Sequence, residues 1–228
     1  MTGAARIDLL LGSDIGAWIV GFVEPERVGT VITRDDTIAR LAAARGLPVA
    51  SGVDGLSPAP VALSAHWPDV LSARELEAWE MAWNLHQGLL PWGRGYGPVF
   101  WALWAGEPAG ATLHVMTSGL DKGAIVDQLE VEVRADDTGA TLYGRVLEAR
   151  QALVARWWPR LCAGEQPGGV AQPAGGSYHA RSALLALRDD PPLEAMSAVE
   201  LVRLCRALAM PGMPGPRVAG GRLALGDA

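Results

Sequence analysis

The chain has 228 residues, half of them apolar and about a fifth charged, which suits a globular protein with one large domain, or one domain and a small appendage. Its formal charge is −6 and no basic run is visible, which argues against nucleic-acid binding through phosphate contacts. The two cysteines, Cys162 and Cys205, belong to no CxxC or Cys/His cluster, so the sequence suggests no zinc or other metal site.

The N-terminal stretch is apolar, but Asp8 and Asp14 interrupt it. It is read as a strand, "RIDLLLG", followed by a helix, "SDIGAWIVGFV", with Ser13 or Asp14 as N-cap. A soluble cytoplasmic protein with no membrane partner is the expectation. "RVGTVITR" predicts a second strand and "DDTIARLAAARG" a capped helix ending at Gly46. "APVALSAHWP" predicts a third strand, "SARELEAWE" a short helix, and "AWNLHQ" the end of another strand. Strands that alternate with helices imply an α/β fold with a mainly parallel sheet.

The second half opens with a helix from about Pro98 to Ala105. "AGATLHVMTS" and "GAIVDQLEVEVR" predict two strands joined by a turn around "SGLDKG". The longest helical pattern starts near Asp137 or Thr138, with Leu142, Val146, Leu153 and Trp157 on its apolar face. After Cys162 comes a Gly/Pro/polar loop of about 20 residues, longer than compact domains usually carry without a reason. "SAVELVRLCRALAM" predicts one more helix, and the turn-rich end predicts a terminal hairpin. There are no internal repeats. The nine tryptophans include Trp101, Trp104, Trp157 and Trp158 on predicted helices, where core packing or a subunit contact is the default. A homodimer is one option.

The unusual stretch is "WNLHQGLLPWGRGYGP", Trp83 to Pro98. Residues i and i+2 of a strand point the same way, so Asn84 and His86 project together from a strand's C-terminal end. Ligands of open α/β sheets bind at that edge. An amide donor beside a neutral imidazole can polarise a carbonyl and take a proton from an attacking nucleophile. The same pair could equally satisfy loop backbone.

The order Asn-x-His, "GLLP", Arg-Gly, a Pro-led helix, "GATLHVM", "GLDKGAIVDQ" and "DDTGATLYGRV" resembles the formyltransferases that use 10-formyltetrahydrofolate. The likeness covers roughly Trp83 to Ala149 and implies the family's Rossmann-like fold. The change of composition after Cys162 divides the chain into an expected catalytic domain over residues 1–162 and an extension of loop, helix and hairpin over 163–228. Carried over by position, the family's catalytic residues fall on Asn84, His86 and Asp121. Asn84 would donate to the developing formyl oxyanion. His86 would help to stabilise it and act as base, and Asp121 would orient His86. Read alone, Asp121 is an Asp in a Gly-flanked turn, and turn chemistry suffices for it.

The resemblance also implies a folate pocket walled by Leu89, Leu90, Met116, Ser118, Gly119 and Leu120. Ordinary core packing is the alternative for one of the two leucines. His114 is expected in a supporting role, and the role of His66 is weakly determined.

Among family branches, the nucleotide-sugar N-formyltransferases fit best in length, in the Arg-Gly-aromatic element and in the tail. The resemblance implies an amino-dideoxy sugar acceptor linked to a nucleotide, with dTDP favoured. Arg94 or Arg181 would meet its pyrophosphate, and Tyr178 or His179 its base or sugar. The alternatives are another small amine (glycinamide ribonucleotide, an amino acid or a natural-product amine), or a module that binds or hydrolyses formyl-folate. Gln87, where relatives carry Pro or Ala, is a departure. "LLLGSDIG" is also a poor version of the phosphate loop expected of a ribonucleotide enzyme.

Overall fold

The computed structural model describes residues 6–54, 56, 58–210 and 212–223. The chain alternates strands and helices. In order these are β1 (Ile7–Leu11), α1 (Ser13–Phe22), β2 (Val28–Ile32), α2 (Asp36–Ala44), β3 (Val49–Ala50), β4 (Val61–Ala65), α3 (Ala73–Leu76) and β5 (Met81–His86). There follow β6 (Arg94–Gly95), α4 (Pro98–Ala105), β7 (Ala109–Val115), β8 (Ile125–Val131) and α5 (Gly139–Cys162). The last elements are β9 (Tyr178–His179), α6 (Arg181–Asp189), α7 (Ala198–Leu208), β10 (Arg217–Val218) and β11 (Gly221–Arg222). No helix among the described residues is long and apolar enough to cross a membrane.

Seven strands form one sheet in the order β3-β2-β1-β4-β5-β7-β8. β1 pairs in parallel with β2 and β4, and β4 in parallel with β5; β7 then runs antiparallel to β5. The fold is therefore α/β with a mainly parallel sheet, as the alternating pattern predicts. β1 and β4 are buried at every position, the mark of strands covered on both faces. Asp8 is the exception in charge, not in burial. Its carboxylate accepts from Thr30 N at 2.8 Å, Ala59 N at 2.9 Å and Trp79 Nε1 at 2.9 Å. Three donors offset the cost of taking it out of water.

Helix starts mostly follow the sequence signals. Asp35 caps α2 through Thr37 N and Ile38 N, and Ser72 with Glu75 forms a capping box on α3. At α1 the outcome differs from expectation. Gly12 is the N-cap residue and offers no side chain. Ser13 is already the first helical residue, with φ of +58°, because the chain leaves β1 in a tight turn. Asp14 instead accepts from Ile15 N, inside the first turn.

Two compact units emerge. The first comprises the described residues up to His86 with Thr112–Gln128 and Arg150–Gln172. One of its clusters packs Leu10, Ile32, Ala62, Leu71, Trp79 and Ala82, with Met116 against them. The second comprises Gln87–Ala111, Leu129–Ala149 and the described residues from Pro173 onward. There α4 lies against α7, with Phe100, Trp101, Leu184, Leu204 and Leu208 buried together. Gly97 starts α4 at φ of +74°, where a Cβ would also press on Leu184. On α5 the predicted stripe is buried: Leu142, Val146 and Leu153 fully, Trp157 nearly so.

The tryptophans are mostly core groups with satisfied indoles. Trp83 donates to the Pro167 carbonyl, Trp101 to that of Tyr96, Trp157 to Asp127 and Trp158 to Glu24.

Candidate active site

Asn84 and His86 stand on one side of β5 at its C-terminal end, two residues apart. Antiparallel pairing sets His114 of β7 opposite Asn84 and Thr112 opposite His86. The Asn84 Nδ2 and His114 Nε2 atoms are 3.2 Å apart. The other His114 nitrogen, Nδ1, is 2.9 Å from the Val115 carbonyl, which can only accept. A neutral His114 therefore carries its proton on Nδ1 and receives an Asn84 N–H at Nε2.

The segment after β7 turns back through Gly119, whose carbonyl accepts from Lys122 N at 3.2 Å. Asp121 sits in this turn in the left-handed region, φ +52°, a conformation that Asp tolerates better than most residues. It is buried, and its Oδ1 lies 3.6 Å from His86 Nδ1 and 3.5 Å from His114 Nε2. These separations are electrostatic pairings longer than ordinary hydrogen bonds. The two imidazoles stand edge to face, 6.3 Å between centroids. The structure thus brings Asn84, His86 and Asp121 together and adds His114 between them.

Close packing fixes the turn. A Cβ on Gly123 would overlap the Val115 carbonyl, so only glycine fits there. Gln172 Nε2 donates to the carbonyls of Asp121, at 2.6 Å, and Gly123, at 2.9 Å. Arg150 of α5 is fully buried and donates to the Leu85 carbonyl beneath the end of β5. His66, just past β4 with φ of +62°, is within electrostatic reach of Arg150, Asp14 and His86. Sequence reasoning gave no role to Gln172 or Arg150. A lone Gln in a Gly/Pro loop and a lone Arg in a long helix carry no local signal of either contact.

Of the expected folate residues in this unit, Met116 is partly buried against the core, while Ser118 and Leu120 are exposed and Gly119 is half-buried. In the second unit Leu89 is half-buried and Leu90 buried. There the expected acceptor residues form their own network. β6 and β9 pair in parallel, Arg94 with Tyr178 and Gly95 with His179. The Arg94 guanidinium donates to the carbonyls of Ser177, at 3.2 Å, and Gly175, at 2.7 Å. His179 Nε2 lies 2.7 Å from Glu107 Oε1, and the His179 ring stacks on Trp101 at 3.9 Å. Ser177 Oγ donates to Glu107 as well. Tyr178 is 58% exposed, and the Arg181 guanidinium lies over the Tyr96 ring at 5.5 Å.

Residues 50–157 match the formyl transferase family. The chain carries a formyl transferase domain. That domain contains Asn84, His86, His114 and Asp121, and it makes the protein a transferase enzyme. The fold of the whole chain is similar to that of a sugar N-formyltransferase from Shewanella sp. FDAARGOS_354, at TM-score 0.77 and 20% identity over 98% of this chain and 99% of that one. It is similar to the formyltransferase PseJ from Anoxybacillus kamchatkensis, solved with UDP-4,6-dideoxy-4-formamido-L-AltNAc and tetrahydrofolate, at TM-score 0.61 and 26% identity over 85% and 92% of the two chains. An N-formyltransferase from Helicobacter canadensis, solved with folinic acid and dTDP-3-aminofucose, gives TM-score 0.70 and 17% identity over 95% and 84%.

Proposed function

We propose that the formyl transferase domain moves a formyl group from 10-formyltetrahydrofolate to the amine of a nucleotide-linked amino-dideoxy sugar. The observation that carries the reading is the convergence of Asn84, His86 and Asp121 at the end of β5, within residues 50–157. The folate, when bound, supplies the activated formyl carbon. The residues present suit that chemistry. Asn84 has two N–H groups; His114 takes one, and the second can donate to a formyl oxygen as charge develops on it. His86 accepts the proton that the attacking amine must lose and can return it to the folate nitrogen as the bond from that nitrogen to the formyl carbon breaks, and Asp121 favours the imidazolium formed in between. The exposed loop at 117–120 offers backbone groups and Leu120 to a flat ring.

The sugar acceptor is supported by the neighbours of similar length that are sugar enzymes, two of them solved with UDP- and dTDP-linked sugars. We assign the acceptor contacts to Tyr178 and Arg181, which are presented outward, and give Arg94 and His179 the task of shaping the loop, since both are engaged inside it. A ribonucleotide acceptor is disfavoured, because the carboxylate of Asp14 already occupies the first turn of α1 and would repel a phosphate there. The test is to incubate the protein with formyl-folate and a series of dTDP-, UDP- and GDP-linked amino sugars. Turnover that needs one of them supports the reading. Turnover without amine indicates a hydrolase, and turnover only with glycinamide ribonucleotide or simple amines moves the acceptor to another class.

A further inference from the structure

The long Gly/Pro loop after α5 is tied to its own unit at several points. Its first part, Glu165 to Gln172, is a strap with regular attachments. Glu165 pairs with Arg160 at 2.8 Å, and Gln166 donates to Glu80 at 3.2 Å. The Pro167 carbonyl takes the indole N–H of Trp83, on the same strand as Asn84 and His86. Val170 exchanges both backbone hydrogen bonds with Ile125, each 2.8 Å. The strap ends at Gln172, whose side-chain amide donates to the two carbonyls that flank Lys122. Two carbonyl acceptors at one nitrogen fix which end of the amide is which. The opposite atom, Oε1, is buried with no hydrogen-bond partner among the described residues.

We infer that Gln172 is a positioning residue for Asp121. This rests on the reading of Asn84, His86 and Asp121 as the reacting set. The backbone of Asp121 is in a disfavoured conformation, and a turn of that kind holds its shape only where its surroundings over-determine it. Gln172 supplies that constraint on the backbone side, while the carboxylate of the same residue faces two imidazoles. Without the two donors, the Asp121 and Gly123 carbonyls lose their partner and the turn relaxes. A shift of the carboxylate by a fraction of an ångström alters its separation from both rings at once. The titratable groups facing it are His86 on β5 and His114 on β7, and His66, itself in electrostatic reach of His86 and Arg150, is the next group along.

Gln172→Glu keeps the shape and removes both donors. The expected result is a folded protein whose kcat falls between about ten- and a hundredfold, with the acceptor KM unchanged. The imidazole resonances of His86 and His114 should also move in the protein without substrate, as read by nitrogen-15 NMR. Gln172→Asn, one methylene shorter, should give the same displacement in weaker form, and it replaces the Glu variant if that chain does not fold. Wild-type kcat together with unmoved imidazole signals in a folded variant overturns the assignment. If the wild type turns over no amine at all, the formyl-transfer reading has failed. The NMR comparison then still decides whether Gln172 sets the Asp121 turn.

Discussion

The amide of Asn84 and Nε2 of His114 face each other at 3.2 Å across the register that joins β5 to β7. Because the Val115 carbonyl claims the proton on Nδ1, His114 acts on Asn84 as an acceptor and fixes which way the amide points. An unaided Asn can turn its oxygen where its nitrogen is needed, and an oxygen aimed at an oxyanion repels it. His114→Ala should therefore lower kcat by roughly ten- to a hundredfold, through misplacement rather than loss of the donor. In alkaline solution, where imidazoles are neutral, nitrogen-15 spectra should show His114 protonated on Nδ1. The opposite tautomer would remove its claim on Asn84.

The loss at Asn84 itself should be larger. Asn84→Ala removes an oxyanion donor and should cost about 10²–10³-fold in kcat. His86→Ala should cost at least as much, since it also removes the proton acceptor. Asp121→Asn should lower the rate and move the ascending limb of the pH profile to lower pH, because the carboxylate that favours imidazolium is gone. Rates from pH 6 to 8 with one acceptor check this. An unshifted limb would assign that limb to the substrate amine or uncouple Asp121 from His86.

Gly123 offers a test from the backbone side. A methyl there overlaps the Val115 carbonyl, which belongs to the strand that carries His114. Gly123→Ala must push the turn off β7, at a cost of about 1–3 kcal/mol in stability. It should lower kcat more than it raises KM. A variant with normal kcat would mean that the turn tolerates displacement, and the case for a finely set Asp121 would weaken.

Much of this arrangement was legible in the amino-acid order. Short, mostly apolar runs marked β1, β2 and β4, and the stripe from Leu142 to Trp157 marked α5. The two-residue spacing of Asn84 and His86 was enough to set them on one side of a strand. Other features left no local trace. β3, β6 and β9 are two residues each, too short for any period, and exist only because a neighbour pairs with them. α6 begins at Arg181 without a side-chain cap, so the loop before it hid its start. Gln172 reaches Asp121 across 51 positions of sequence, and no spacing rule spans that distance. The partner of His179, Glu107, is likewise remote, 72 positions away.

The thiols should be inert. Burial pushes the Cys162 thiol up to about 11, and burial raises that of Cys205 as well. At pH 8 the thiolate fraction of Cys162 is then roughly one in a thousand. A disulfide reagent should titrate neither cysteine in the native protein and both in denaturant. Fast labelling of the native chain would show that one of these packed positions opens readily.

Asp137 is the place to look for acid sensitivity in the second unit. Burial works to raise its carboxyl, but hydrogen bonds from Arg145 at 2.5 Å, Arg134 N at 2.7 Å and Thr141 Oγ1 at 2.9 Å outweigh it and hold the group below its ordinary value. A depressed carboxyl stabilises the fold in full above its unfolded value of about 3.9, and the contribution is lost as pH falls through the folded value. Asp137→Asn leaves Arg145 without its anion and should cost about 2–3 kcal/mol at pH 7, somewhat less than for a fully buried pair because Arg145 is partly exposed. Other lowered carboxyls, such as Glu24 and Asp127, are common to both chains and cancel in the difference. Urea unfolding of the two proteins should therefore show a gap that is wide at pH 7 and 5 and narrows as pH falls below about 4. A gap that stays constant would mean that Asp137 holds the start of α5 by shape and hydrogen bonding alone, with no contribution from its charge.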